Sequence, residues 1–377
     1  MSDLASPRPQ LSVLVPVLDE APRLPGLLRA LAGQEDLRLQ VVVADGESRD
    51  ESPQVAIREA RTLGLDLSVV ITPPGRARQM NRAAQAATAP DLLFLHADSG
   101  LEHPRLLAEG LAELTARRRE LGHDRVAGHF GLRFEGRGTA SPDAYYFYEA
   151  KARLNRPDCV QGDQGFLLAA SYFQDSGGFD ESLPYLEDVR LAARIGRTGV
   201  WVNLPGVLTT SARRFEAEGL GRRQLFNAML CNFDRIGLHG YLAAAPDAYR
   251  QRSGARPLRL TPFLRLARQA LGAERRPAQA RYWLRTGRFI AANAWQLAFA
   301  LDCRLNRRRG WRPGEGPRVW LERYERGWHR VLESLPCAMA TALLTAGGLY
   351  GILAWARLRE SRPAKDASRG ADGLGSA

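Results

Sequence analysis

Three apolar, strand-like runs in the first hundred residues each end in an acidic loop: LSVLVPVLDE, LQVVVADGESRD and DLLFLHADSG. As strands of one open parallel sheet they would gather Asp19, Glu20, Asp45, Asp50 and Asp98 outside their carboxyl ends, where such sheets hold ligands. Between the second and third runs, GRARQMNRAAQAA reads as a helix that opens with Arg76 and Arg78. Carboxylates with guanidinium groups close by point to a divalent metal and a phosphorylated ligand. Hard oxygens suit the ion, and guanidinium forks suit phosphate oxygens. A second acidic pair, Glu187 and Asp188 in LEDVRLAARI, opens a later helix. Such a carboxylate can take the proton of an attacking hydroxyl. An acidic pair at a helix start also simply complements the helix dipole, and spacing alone favours that plainer role.

Strands at 11–17, 39–44, 68–71 and 91–96 alternate with helices near 22–32, 53–63 and 76–88, an order that predicts a right-handed parallel arrangement. Asp50 is placed to cap the second helix. A helix near 104–119, a half-exposed strand at 126–134 and a Ser141-capped helix over 141–154 follow. The last carries Tyr145, Tyr146, Phe147 and Tyr148, for which core packing is favoured over acceptor contact. The loop CVQGDQG, a short strand at FLLA, the helix from Glu187 and the stretches WVNLPG and VLTTSARRF complete the unit.

Four scattered cysteines with no CxxC pair indicate neither a zinc site nor a disulfide framework. MSDLASPRPQ has no basic and apolar stretch of a secretory signal, so a cytoplasmic location is expected. The net charge of +12 is uneven: residues 251–377 hold 24 Lys+Arg against 9 Asp+Glu, and residues 1–250 hold 29 against 32. A basic extension suits an anionic membrane surface or nucleic acid, although an arginine-rich solvated surface would look the same. Residues 334–356 carry no charge and are long enough for a helix to cross a bilayer core. Their Ala and Gly content leaves insertion, interfacial binding and burial open, and the lipid reading of the tail is preferred to a nucleic-acid one. The expected organisation is a disordered N-terminus at 1–10, a catalytic domain at 11–250, a basic helical extension at 251–333, the apolar helix at 334–356 and a disordered tail at 357–377.

The motifs VPVLDE (15–20), ADGESRD (44–50), GRARQMN (75–81), FLHADS (94–99), GDQGF (162–166), GGFDE (177–181), LEDVRLAARI (186–195) and ARRF (212–215), in this order, resemble family 2 glycosyltransferases. The resemblance is to a bacterial branch described as radical-SAM/selenodomain-associated transferases, and it covers roughly residues 10–250. It implies a GT-A-type α/β fold with a mostly parallel central sheet, followed by an α-helical basic C-terminal extension. It implies a nucleotide-sugar donor, expected to be UDP-linked, and inverting transfer of a hexosyl group to a hydroxyl, with a lipid-linked acceptor compatible with the tail. The expected place is the inner face of the cell membrane.

On the same resemblance, Asp188 matches the catalytic base, with Glu187 tuning it or orienting the acceptor. Pro16 and Glu20 lie in the first donor loop, and Asp45 matches the aspartate that binds the base. One of Arg76 and Arg78 is expected to face the nucleotide. Asp163 is expected in the sugar pocket, and Arg213 and Arg214 are expected to close over the diphosphate. Asp98 keeps the ligand position of the family's Asp-x-Asp motif for Mg²⁺ or Mn²⁺. His96 replaces the first aspartate, and either ligates the metal or is a hydrogen-bonded histidine at a strand end. Two rivals remain: a membrane-associated binding or scaffold protein that keeps the fold without turnover, and a nucleotidyltransferase. No Walker A, GxGxxG or GxSxG motif supports an NTPase, a dinucleotide oxidoreductase or an α/β-hydrolase.

Overall fold

The computed structural model describes residues 8–138, 142–250 and 257–360. The Ser141 cap, residues 1–7 of the N-terminus and residues 361–377 of the tail lie outside them. Two compact units emerge: Met1–Leu220 with Phe299–Val319, and Gly221–Ala298 with Trp320–Ala377. The boundary expected at residue 250 falls inside the second.

In the first unit, β1 (Leu11–Val17), α1 (Leu24–Ala32), β2 (Leu39–Asp45), α2 (Ser52–Leu63), β3 (Asp66–Ile71), α3 (Arg76–Ala86) and β4 (Asp91–Phe94) follow the expected alternation. The apolar runs are continuous because β1 and β2 are covered on both faces. Leu11, Val13, Val15, Val41 and Val43 pack with Leu24, Leu27, Leu28 and Leu31 of α1 and with Val55 and Ala56 of α2. Leu14, Val42 and Ala44 point the other way, onto Ala77, Met80 and Ala83 of α3. There follow β5 (Gly100–Leu101), α4 (Leu106–Leu121), β6 (Val126–Glu135), α5 (Pro142–Lys151), β7 (Phe166–Ala169), α6 (Ala170–Asp175), α7 (Glu187–Thr198), β8 (Val200–Ser211) and α8 (Arg213–Glu218). Two 3-10 turns, Pro157–Cys159 and Gly162–Gln164, precede β7.

The sheet order is β3-β2-β1-β4-β7-β6-β8-β5. The α/β fold with a helical C-terminal region is as expected, but the sheet is mixed and not mostly parallel. β7 runs antiparallel to both β4 and β6, and β5 runs antiparallel to β8. This reversal has a consequence for chemistry. The register Phe94↔Phe166 sets the end of β4 against the start of β7. The GDQ turn therefore arrives at the same sheet edge as the HAD loop, where a parallel β7 would have carried it to the opposite edge.

Residues 304–318 read as a charged linker, yet they lie within the first unit. The Tyr146 hydroxyl donates to the carbonyls of Trp311 and Arg312, at 3.0 and 3.2 Å, and Arg307 pairs with Asp143. Phe147 and Phe299 pack as tilted rings, 5.6 Å between centroids. Tyr145 and Tyr146 are buried, and the Tyr145 hydroxyl donates to Glu216 Oε1 at 2.6 Å.

The second unit is helical. It contains α9 (Leu220–Ile236), which starts at the boundary, α10 (His239–Arg250), α11 (Thr261–Gly272) and α12 (Arg276–Ala292). Next come α13 (Trp295–Arg308) and α14 (Val319–Arg323), each of which straddles a boundary, then a π-turn at Tyr324–Trp328, α15 (His329–Leu332) and α16 (Leu335–Glu360). Residues 357–360 thus continue a helix. Close approach of α12 and α16 requires Gly287, since a Cβ there would collide with the Ala338 carbonyl oxygen. Gly287→Val is expected to destabilise this unit by about 1–3 kcal/mol through overpacking, measured as a fall in its unfolding midpoint.

Candidate active site

Side chains converge at the carboxyl edge of β1, β2 and β4. Asp45 ends β2 opposite Val17 and is 2% exposed. Its Oδ2 accepts the Ser48 N–H at 3.0 Å, and its buried Oδ1 has no partner. An unpaired buried carboxylate oxygen is costly unless a ligand donates to it. Gln79 of α3 crosses the two strand ends, donating to the carbonyls of Val17 at 2.7 Å and Ala44 at 2.9 Å. Gly46 leaves it room, since a Cβ there would sit 2.9 Å from Gln79 Nε2. Gln79→Ala should remove one donor from each carbonyl, with Val17 keeping the Gly46 N–H, and lower stability by about 1–3 kcal/mol in thermal or urea denaturation.

The two acidic loops are laced together. Asp19, at φ 56°, accepts the Arg49 N–H at 2.7 Å, and Ser48 Oγ accepts the Asp19 N–H at 2.9 Å. Asp50 accepts N–H groups from Ser52 at 3.0 Å and Ala21 at 3.1 Å. Burial works against its ionised form, but these bonds and the Ser52 hydroxyl outweigh it and hold the carboxyl below its ordinary value. Asp50 is thus a clamp on the first loop and not the expected N-cap of α2: that position falls on Glu51, and Asp50, one residue earlier, bonds the N–H of Ser52. Glu20 pairs with Arg23, and its backbone N–H donates to Ser52 Oγ at 2.9 Å. Pro16 lies next to the end of β1, level with Ala44.

The second group of side chains forms where β4 meets β7. Leu186 adopts a left-handed φ of 68°, rare for a branched residue, and this sharp turn starts α7 with Glu187 and Asp188. Asp188 Oδ2 accepts the Gly162 N–H at 2.8 Å, so it grips the GDQ turn; its Oδ1 accepts the Val189 N–H at 2.8 Å. Asp163 follows Gly162, and its Oδ1 is buried without a partner. Burial and then the Asp188 charge push the Asp163 carboxyl up to about 7, with Asp98 adding and Arg76 opposing. Burial and Asp188 also push Glu187 up, against the pull of Arg76, whose Nη1 lies 3.7 Å from Glu187 Oε1. His96 is pushed down to about 3 by enclosure and by the charges of Arg76 and Arg214, so its imidazole is neutral.

Electrostatics thus joins Asp98, Asp163, Glu187, Asp188, His96, Arg76 and Arg214 in one neighbourhood. Two predicted binders are not drawn in. Arg78 Nε faces Glu181 at 3.4 Å, beside Asn81, which bonds the backbone of Phe179. Arg213 is exposed at the start of α8, with its N–H on Ser211 Oγ at 3.3 Å. Gln79, Ser48 and Asn81 were not anticipated. The only trace of Gln79 and Asn81 was their place in the motif GRARQMN.

The fit to a cation can be judged from these side chains. Crowded carboxylates, an orphaned buried Asp163 oxygen and a neutral His96 favour a hard cation at this edge. Among the described residues no three His, Cys, Asp or Glu side chains form a ready-made ion cage. A cation would therefore complete its shell with oxygens of a bound ligand.

The raised carboxyls carry a pH signature. Their ordinary values are 3.8 for Asp163 and 4.5 for Glu187, and the folded values lie higher. The stability they contribute is complete below about pH 4 and is lost as pH rises through about 7. Unfolding free energy should fall by on the order of 2–4 kcal/mol between pH 5 and pH 8 from Asp163 alone. Asp163→Asn should flatten that slope in denaturation series across this range.

Residues 12–167, which contain β1 to β4 and the GDQ turn, match the glycosyl transferase family 2 model. The PGL/p-HBAD biosynthesis glycosyltransferases of Mycobacterium bovis (strain BCG / Pasteur 1173P2) and Mycobacterium tuberculosis (strain ATCC 25177 / H37Ra) are 37% identical over 101 residues, 26% of this chain. The chain spans 40% of the length of these curated relatives. Among solved structures, the mannosyltransferase PcManGT from Pyrobaculum calidifontis, in complex with GDP-Man and Mn²⁺, aligns with TM-score 0.45 and 20% identity over 89% of this chain and 86% of its own. S. aureus TarS 1–349 in complex with UDP-GlcNAc aligns with TM-score 0.47 and 17% identity over 80% and 92%.

Proposed function

We propose that the chain is an inverting glycosyltransferase that moves a hexosyl group from a UDP-linked donor to a hydroxyl acceptor, within the radical-SAM/selenodomain-associated branch of family 2. The observation that supports it is the layout of the sheet edge. An unpaired buried Asp45 oxygen lies at the end of β2, and a carboxylate group with Arg76 and Arg214 lies where β4 meets β7. The first can accept from the base of a nucleotide, and the second can hold the charged and reacting end.

Each residue then has a task. Asp45 accepts from the base, with Pro16 and Glu20 bordering that loop. Arg76 and Arg214 face the diphosphate, with Arg78 and Arg213 further out. Asp163 and Glu187 line the sugar and acceptor side. Asp188 takes the proton of the acceptor hydroxyl as the acceptor oxygen bonds to the anomeric carbon and the bond to the diphosphate breaks with inversion. Its two backbone contacts leave a lone pair on each carboxylate oxygen for that proton. Asp98, with His96 beside it, would hold Mn²⁺ or Mg²⁺, which when bound stabilises the leaving diphosphate. The catalytic domain is expected within residues 11–250. The basic second unit would hold the protein at the inner face of a membrane, in reach of a lipid-linked acceptor.

Purified full-length protein should release UDP slowly from at least one UDP-sugar in Mn²⁺, and far less in EDTA. Absence of release from both UDP- and GDP-sugars would favour a binding protein without turnover.

A further inference from the structure

We propose that α16 is an in-plane anchor: it lies along an anionic bilayer surface with its outer face in the lipid and does not cross. This builds on the membrane part of the reading above and settles which way the helix engages.

The first half of α16 is packed inside out relative to a helix of a water-soluble core. Toward α12 it presents small residues, with Ala338 fully buried and Ala342 nearly so, and Thr341 Oγ1 donates to the Gly287 carbonyl at 3.0 Å. Most of its large apolar side chains point away: Leu343 is 73% and Leu344 76% exposed, with Leu335, Met339 and Ile352 exposed as well, while Leu349 and Leu353 further along turn inward. Small residues and hydroxyls between helices, with large apolar groups outside, is the arrangement that lipid favours. Trp328 and Val331, just before the helix, are exposed as well.

Charge selects the occupant. The second unit holds 22 Lys+Arg against 9 Asp+Glu, so it carries all of the chain's net positive charge. A second copy would bring two such units together, whereas an anionic surface attracts them.

The neighbour of α16 decides its orientation. The Thr341–Gly287 bond and the Trp283–Tyr350 ring contact, at 6.4 Å, set residues 283–287 of α12 beside 341–350. That interval is the centre of the apolar stretch Leu335–Ala354. Arg281, Arg285 and Arg288 of α12 are exposed there. A crossing α16 would carry three arginines to mid-bilayer depth, the costliest place for that side chain. Lying in the plane, it keeps them at headgroup level while its outer face enters the acyl boundary.

The test uses full-length protein in which Cys231 and Cys337 are replaced by serine, with one fluorophore on Pro336→Cys, Leu343→Cys or Ala354→Cys, three exposed positions on one face of α16. Each variant is mixed with phosphatidylglycerol-containing vesicles whose lipids are brominated either near the headgroup or near the chain end. All three sites are exposed, so folding is not at issue, and each variant's melting curve is compared with the parent. Expected are equal, shallow quenching at all three positions and vesicle binding at least tenfold weaker on purely zwitterionic lipid. Deep quenching at 343 with shallow quenching at 336 and 354 would overturn the in-plane placement while leaving membrane binding intact. No vesicle binding, with concentration-dependent dimers instead, would overturn the membrane reading itself. UDP release, measured on the same samples, reports on the transferase reading independently.

Discussion

Asp188→Asn is expected to lower turnover by about 10²–10⁴-fold, the range associated with loss of a positioned general base, with UDP affinity nearly unchanged. The asparagine carbonyl can still accept one of the two N–H groups that Asp188 holds, but its NH₂ group faces the other. The Gly162 N–H or the Val189 N–H therefore loses its acceptor. Some loosening of the GDQ turn should accompany the chemical loss, and the readouts separate them. Loss of the base appears in kcat alone. Loss of the turn appears as weaker donor binding and a lower unfolding midpoint. Glu187→Gln provides the contrast, since it removes a charge from the same helix start without touching either N–H bond. It should cost less in kcat and remove the charge that burial and then Asp188 disfavour at Glu187. Wild-type turnover in Asp188→Asn would remove this residue from the base role. Equal losses in both variants would mean that the pair acts through charge and not through one proton acceptor.

The parts legible in the sequence were those written in local pattern. Continuous Val/Leu runs at 11–17 and 39–45 are what strands covered on both faces require, and the helices between them follow from spacing. Direction was not legible. FLLA is four apolar residues long, and nothing in such a run says whether it pairs parallel or antiparallel. Only its partners, β4 and β6, set that. The same holds for the charged stretch at 304–318. Its Arg307 meets Asp143, 164 residues earlier in the chain, and no local signal foretells an ion pair at that separation. Gln79 illustrates a third limit. A polar residue inside a helix carries no periodic mark, and its value lies in two strand-end carbonyls that come together only in the fold. Among the site residues, Asp45, Arg76, Asp98, Asp163, Glu187 and Asp188 could be nominated because their types and order form motifs. The motifs could not separate Arg76, beside Glu187, from Arg78, which faces Glu181.

Asp45→Asn should raise the Kd for UDP by about 10–100-fold, corresponding to a charge-assisted hydrogen bond of about 1.5–3 kcal/mol. The wild-type Oδ1 is buried and accepts nothing, while Oδ2 is already committed to the Ser48 N–H. The asparagine carbonyl can keep the Ser48 bond and the turn it closes, so the fold should persist. Its NH₂ then takes the place of Oδ1 and sets a donor against the imide N–H of uracil. Acceptance becomes repulsion between like partners at a site from which water is excluded. A guanine edge also presents N–H donors, so a GDP-linked donor would suffer the same loss. The change belongs in binding: titration calorimetry should show it in Kd, while kcat at saturating donor changes little, because the base sits away from the reacting carbon. An unchanged Kd would mean that the Asp45 oxygen is left unpaired for another reason, and base recognition would have to be sought among the other groups of these loops.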